Sequence, residues 1–101
     1  MFVHAVYFWL KDDLAPDRRT GFAEALRGLT SIESVRHGFV GVPAATDRPV
    51  IDRSYSYALT VVFDDQAGHD RYQVDPIHER FVEQYKDCWE RIVIYDSVEG
   101  G

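Results

Sequence analysis

The first strand constrains the fold most, because the sequence makes it apolar on both of its faces. Residues 2–10, FVHAVYFWL, are rich in β-branched and aromatic side chains and end at a charged turn. One face carries Phe2, His4, Val6, Phe8 and Leu10, and the other carries Val3, Ala5, Tyr7 and Trp9. A strand with two apolar faces is buried on both sides. We therefore expect helices on one face of its sheet and further protein on the other.

The remaining elements predict a fold class. Apolar and β-branched runs predict three further strands, over residues 35–42, 54–63 and 91–98. Helical periodicity predicts three helices, over residues 15–31, over residues 64–72 and from residue 76 onward. The order β-α-β-β-α-α-β is typical of an α+β fold, with a ferredoxin-like four-stranded antiparallel sheet and helices on one face. We expect residues 2–98 to form a single domain.

This arrangement leaves the opposite face of the sheet uncovered. That face carries Tyr7 and Trp9, which are too apolar for a surface in contact with water. A second copy of the chain would cover it. The sequence therefore predicts a two-fold homodimer that packs sheet against sheet, as in dimeric α/β barrels.

Charge and composition exclude several classes of partner. The 101 residues carry a formal net charge of −6 and no block of Lys and Arg, so we expect no nucleic-acid partner. The longest apolar run, residues 5–10, is far too short to cross a bilayer, so we expect no membrane partner. No basic segment with a small-residue cleavage site follows Met1, and the lone Cys88 has no disulfide partner in the chain. These features favour the cytoplasm.

The segment from Tyr72 to Trp89 carries the clearest helix start in the chain. Asp75 suits the N-cap and Pro76 suits the first helical position. An apolar stripe then follows at spacings of three and four, formed by Ile77, Phe81, Tyr85, Cys88 and Trp89.

His78 lies in the first turn beside that stripe, and a short turn before the cap would bring the Tyr72 hydroxyl near its imidazole. This spacing predicts His78 as a general base and Tyr72 as a hydrogen-bond donor at the mouth of a pocket. The competing interpretation is a histidine that completes a capped helix end beside an aromatic residue of the core edge.

Other residues are candidates for lining the pocket. His4 either lies on the pocket floor or is a hydrogen-bonded core histidine, because it shares a face with apolar residues. Tyr57 and Tyr55 could line the same floor from the third strand, or merely pack there. Two aromatic residues of the helical stripe are also predicted to contact the ligand, Phe81 and Trp89. The remaining histidines, His37 and His69, are interpreted as surface residues.

The sequence predicts no metal site and no cofactor. Its four histidines are spread along the chain, without the closely spaced His, Cys or carboxylate pairs that metal sites often use. Cys88 is interpreted as a buried, inert thiol. A nucleophile elbow, a phosphate-binding glycine loop and a dinucleotide fingerprint are all missing from the sequence.

Several segments together resemble the Dabb family, the dimeric α/β-barrel proteins first noted as stress-responsive. They are the N-terminal VHAVYFWLK, the strand-to-helix turn YSYALTVVFDD and the segment YQVDPIHERFVE. The resemblance covers residues 2–98 and implies the family's fold and dimer.

For activity, the resemblance points to the plant cyclase of this family that makes olivetolic acid. That enzyme closes a linear polyketide by an aldol condensation, with a Tyr and a His and without metal or cofactor. Its Y-x-x-x-P-x-H pattern matches Tyr72 and His78, and the His near the start of its first strand matches His4. Two positions depart from it: Tyr57 and Asp75 each stand where that enzyme has His.

Three classes of function follow from these observations. The first is an acid–base cyclase or isomerase of a carbonyl compound, which requires an open pocket joining Tyr72, His78 and His4. The second is a non-catalytic binding or stress-response protein whose product is the dimer itself, in which aromatic side chains fill that space. The third is a small oxygenase like the antibiotic-biosynthesis monooxygenases, or a haem binder, which share the dimeric barrel.

Overall fold

The sheet is built around its first strand. The computed structural model describes residues 1–100. Its strands and helices are β1 (Phe2–Leu10), α1 (Pro16–Gly28), β2 (His37–Gly41), β3 (Tyr57–Phe63), α2 (Gln66–Gln73), α3 (Pro76–Tyr85) and β4 (Trp89–Val98). The strands lie in the order β2-β3-β1-β4, and each neighbouring pair is antiparallel. The predicted ferredoxin-like α+β class is confirmed.

Strand β1 alternates between a buried and a half-buried face. Phe2, His4, Val6, Phe8 and Leu10 are buried, and the residues between them are half-buried. The buried set faces the helices, so the helix-covered side of the sheet contains the core. No helix within residues 1–100 is long and apolar enough to cross a membrane.

Several element boundaries differ from the prediction, each for a local reason. Helix α1 ends at Gly28, and residues 29–31 tighten into a 3-10 turn in which the Thr30 hydroxyl donates to the Arg27 carbonyl. Strand β3 begins at Tyr57 because the hydroxyl of Ser56 accepts a hydrogen bond from the Leu10 backbone N–H. The last turn of the third helix also ends early, so that Trp89 begins β4.

Strand β2 is shorter than the predicted 35–42. A Cβ on Gly38 would lie 2.5 Å from the Cβ of Thr30, so only glycine allows the strand to approach the end of α1 this closely. The strand ends at Gly41, shortly before Pro43, which lacks the N–H needed to continue a ladder.

The uncovered face of the sheet carries an aromatic cluster. The ring of Tyr7 lies 5.0 Å from that of Tyr55 and 6.3 Å from that of Tyr95. The guanidinium of Arg91 lies over the ring of Trp9 at 4.2 Å. Together with Asp52 and Val93 these residues line a concave region of about 320 Å³. The uncovered face of the sheet is therefore both aromatic and concave.

Candidate functional site

Two capped helices bring Tyr72 and His78 together. Asp75 Oδ1 accepts a hydrogen bond of 2.8 Å from the Ile77 backbone N–H, and Pro76 starts α3, as the sequence predicts. His78 lies in the first turn of α3, and Tyr72 lies in the last turn of α2. Their ring centroids are 4.8 Å apart. The sharp turn between the two helices thus places a phenol beside an imidazole.

His4 brings a second imidazole to the same place from the sheet. It is buried, and its ring centroid lies 5.8 Å from that of Tyr72. Its Nδ1 lies 2.5 Å from Oδ1 of Asp96, the residue directly opposite His4 on β4. This contact fixes the orientation of the His4 ring, because a carboxylate beside one ring nitrogen sets the role of the other.

These polar groups line a largely apolar cavity of about 230 Å³. Its polar lining comes from His4, Tyr72, Gln73 and His78. Its apolar lining comes from Val6, Phe8, Leu29, Leu59, Phe81, Val82, Trp89, Ile92 and Ile94. The exposed fractions of Val82, Ile92 and Ile94 are 36%, 38% and 49%, so these three side chains lie at its opening to solvent. The cavity is therefore open to solvent, and because its volume lies below the roughly 300–1,000 Å³ of pockets for drug-sized ligands, it suits a smaller organic molecule.

Burial controls the protonation of the site. It lowers the pKa of His78, and the nearby His4 lowers it further, while the backbone carbonyl of Gln73 and the carboxylates of Glu79 and Asp75 act in the opposite direction. Burial also lowers the pKa of His4 against the raising effect of Asp96. The pKa of Tyr72 is raised by burial. Near neutral pH, His78 is thus an uncharged proton acceptor and Tyr72 an uncharged hydrogen-bond donor.

The structure gathers most of the sequence-predicted site residues, but not all of them. His4, Tyr72, His78, Phe81 and Trp89 line the cavity. Tyr57 lies on the helix-covered side but packs against Phe22, with ring centroids 5.7 Å apart, and is not among the lining residues.

Tyr55 lies on the uncovered face of the sheet, against Tyr7 and Trp9. The regular alternation assumed for residues 54–63 is broken by the bend at Ser56, which turns Tyr55 to that face. The prediction that Tyr55 shares a pocket floor with His4 is therefore wrong.

Two residues near His4 are not placed there by the sequence pattern. Asp96 stands 92 positions away from His4, and only the register between β1 and β4 shows that they meet. The prediction that His69 is a surface residue is wrong, because its ring stacks on Phe2 at 4.6 Å and lies 5.1 Å from the ring of His4. Its position one helical turn before Gln73 and three residues before Tyr72 was the available signal.

The arrangement can remove and return protons within an apolar enclosure. A neutral imidazole accepts a proton, and a neutral phenol donates a hydrogen bond to an oxygen that gains charge. Low polarity around them strengthens both interactions.

Comparisons with known proteins agree with this fold. Residues 2–99 match the family model of the stress responsive A/B barrel domain, Dabb. No curated protein matches the sequence significantly. A Dabb family protein with a ferredoxin-like fold from Mesorhizobium loti is 28% identical, with a TM-score of 0.78 over 99% of this chain and 97% of that one.

Two more distant structures share the fold. A hydroxynitrile lyase from Passiflora edulis is 18% identical, with a TM-score of 0.79 over 98% of this chain and 93% of that one. A protein from Thermobifida fusca, described as a dimeric ferredoxin-like protein of unknown function, is 20% identical, with a TM-score of 0.78 over 97% and 90% of the two chains.

Proposed function

Because this chain belongs to the stress-responsive A/B barrel (Dabb) family, we propose that it binds a small apolar carbonyl compound in the cavity beside His78 and transforms it by acid–base catalysis. The observation that carries this proposal is the pairing of Tyr72 and His78, with ring centroids 4.8 Å apart on the wall of an open apolar cavity. The reaction class is a cyclisation or isomerisation through an enolate.

In this mechanism His78 removes a proton from the carbon next to the carbonyl group. Burial keeps its imidazole neutral and able to accept that proton. The hydroxyl of Tyr72 donates a hydrogen bond to the enolate oxygen as charge develops there, and the raised pKa keeps the phenol protonated. The enolate then attacks a second carbonyl to close a ring, or takes its proton back at another carbon. In either case His78 returns the proton.

The lining of the cavity supports an apolar substrate. Nine of its thirteen lining residues are apolar, and the polar four lie together around His78. The substrate would therefore place its carbonyl groups at Tyr72 and His78 and its hydrocarbon part against Val82, Ile92 and Ile94. Among proteins with this fold, the Passiflora edulis hydroxynitrile lyase is named as a lyase, which is consistent with carbon–carbon bond chemistry on this scaffold.

Exchange of acidic protons tests the catalytic step without knowledge of the natural substrate. A panel of β-diketones and poly-β-keto thioesters is incubated with the protein in deuterated buffer, and exchange at the acidic carbon is followed by NMR. Removal of the base in His78→Gln should slow exchange by about 10²- to 10⁴-fold. Tyr72→Phe should also slow it, because the enolate loses its donor.

The exposed His37 offers a matched control for this experiment. His37→Gln should exchange protons as fast as the wild type. Equal exchange rates in the wild type, His78→Gln and Tyr72→Phe would refute acid–base catalysis by His78 and Tyr72.

Ligand binding without turnover is the second candidate, favoured by the aromatic share of the lining. Trp89 contacts the cavity, so its fluorescence in a Trp9→Phe background reports occupancy. A binder without catalysis would show quenching by the same diketones, no catalysed exchange, and little change in affinity in His78→Gln.

We also propose that two copies pack through the uncovered sheet face. The aromatic cluster there includes Tyr95, of which 65% is exposed in the single chain, and related structures are described as dimeric. Light scattering at micromolar concentration should give twice the chain mass, and a monomer mass would contradict the dimer.

The free Cys88 is consistent with a reducing compartment, so we predict a cytoplasmic location, which cell fractionation can check.

A further inference from the structure

The acid–base mechanism gives no role to the cluster of His4, His69 and Asp96. One potential ligand atom from each residue lies within 4.8 Å of the other two. The three residues come from β1, α2 and β4. Two imidazoles and one carboxylate that converge from separate elements are a donor set used by divalent transition-metal sites in proteins. We propose that these three residues bind a divalent first-row metal ion of the zinc class, at the edge of the cavity.

The dimensions of the cluster fit such an ion. Zinc lies about 2.0–2.2 Å from imidazole nitrogens and carboxylate oxygens, so two of its ligand atoms lie at most about 4 Å apart. The three potential ligand atoms already lie close to this limit. To bind the ion, His4 and Asp96 would exchange their mutual contact, and His69 its contact with Gln73, for bonds to the metal. With three protein ligands, the ion keeps at least one position for water or another small ligand.

The surroundings of His69 favour its role as a ligand. Its Nδ1 lies 3.0 Å from Oδ1 of Asp70, while its Nε2 lies 3.3 Å from the amide nitrogen of Gln73. A carboxylate at Nδ1 fixes the ring and leaves Nε2 with the lone pair, which is the usual outer arrangement around metal-binding histidines. Asp70 would therefore position His69.

Access and charge favour the same conclusion. The side chain of Asp96 is 40% exposed and that of His69 16%, so an ion can reach the cluster from solvent. Asp70 and Asp96 supply two negative charges near the site, and the chain carries a formal net charge of −6. Two nitrogen donors select zinc-like ions over magnesium and calcium, which prefer oxygen ligands.

Zinc binding to the full chain tests this inference without any carbonyl substrate. After treatment with EDTA and its removal, calorimetric titration with zinc chloride should give one ion per chain. Cobalt(II) should give visible d–d absorption that reports imidazole and carboxylate ligands. Magnesium chloride should give no saturable binding at this site.

Three variants form a graded series. His69→Ala, which removes a ligand, should weaken zinc binding by at least about 100-fold, and Asp70→Asn should weaken it by about 10- to 100-fold. His37→Ala removes an exposed histidine of β2 and should bind zinc like the wild type. Asp96→Asn, at the exposed edge of the sheet, provides a second ligand variant if circular dichroism shows that His69→Ala does not fold.

Wild-type zinc affinity in His69→Ala, or in Asp96→Asn where His69→Ala does not fold, would overturn the inference. So would equal binding of magnesium, or the lack of saturable zinc binding by the wild-type chain. These outcomes are independent of catalysis, because His78→Gln should bind zinc normally while it loses proton exchange. A failure of one proposal is thus distinguishable from a failure of the other.

Discussion

The two halves of the space between the helices and the sheet have the same apolar chemistry but different packing. Under α1 the space is filled: Phe22 and Leu26 are fully buried, and the ring of Phe22 contacts those of Phe8 and Phe81 at 5.2 Å and 5.6 Å. Under α3, toward β4, a cavity of about 230 Å³ is open to solvent. One half stabilises the fold, and the other leaves room for a ligand.

The difference arises from how the helices cover the sheet. Helix α1 has 13 residues and lies over the sheet with its Phe22 face inward. Helix α3 has 10 residues, and of these only Phe81 is buried. Apolar residues of β4 that face the helices, such as Ile92 and Ile94, therefore stay partly exposed. The location of the site thus follows from incomplete coverage of one edge strand.

The largest difference should appear when apolar bulk is removed from each half. Phe22→Ala should lower the free energy of unfolding by about 3–5 kcal/mol, because it creates a cavity in the filled half. Val82→Ala at the mouth of the open half should cost less than about 1 kcal/mol. Urea denaturation of both variants measures the contrast, and equal losses would show that the two halves are packed alike.

Added bulk should also destabilise the filled half more than the open half. Leu26→Phe inserts a ring where no space exists and should cost about 1–3 kcal/mol. Val82→Phe points the same ring toward existing space, so its cost should stay below about 0.5 kcal/mol. Trp89 fluorescence should show that Val82→Phe loses diketone binding, whereas retained binding would place the ligand elsewhere.

Loss of the α3 N-cap should have a smaller effect, which lowers both the free energy of unfolding and the rate of proton exchange. Asp75→Ala removes the side-chain acceptor for the Ile77 N–H and should cost about 1 kcal/mol. Because His78 lies in the same turn, proton exchange should slow as well. The Asp75→Asn variant keeps an acceptor and should restore most of both properties, measured by urea denaturation and NMR exchange.

The smallest effect should be a dependence of stability on pH that is specific to the open half. In the folded chain the pKa of His78 lies below its ordinary value of 6.5. Between these two values the unfolded chain binds more protons, so this contribution is complete above pH 6.5 and is lost as the pH falls through the folded pKa.

Urea denaturation with EDTA at about pH 7 and about pH 5 measures this contribution. The free energy of unfolding should fall on acidification, and it should fall less in His78→Gln. In His37→Gln, which changes an exposed residue, it should fall as in the wild type. An identical decrease in His78→Gln would contradict the assignment.

Local signals in the sequence predicted the part of the site that lies within one helical corner. Asp75 and Pro76 mark the start of α3, and this start fixes His78 in the first turn, near Tyr72. Such information is contained in seven consecutive residues, from Tyr72 to His78. The order of elements and the two apolar faces of β1 were equally local, and they sufficed for the fold.

The rest of the site depends on contacts that no local pattern contains. The partner of His4 is Asp96, and only strand register identifies it. His69 looked exposed because α2 is short and mostly polar, yet the helix packs that residue against Phe2. Spacing along the chain also concealed the cluster of His4, His69 and Asp96, because these residues converge from three separate elements.

The pairing of β1 with β4 has a consequence for biosynthesis. His4 and Asp96 are separated by 92 positions, and the two strands that carry them are neighbours in the sheet. A nascent chain on the ribosome can pair β1 with β3 first, and it leaves the other edge of β1 unpaired until β4 has been translated. Contacts this distant in sequence form slowly, so the cavity should be completed last. A polypeptide that ends before β4 would lack Ile92 and Ile94 of the cavity wall and the carboxylate that contacts His4.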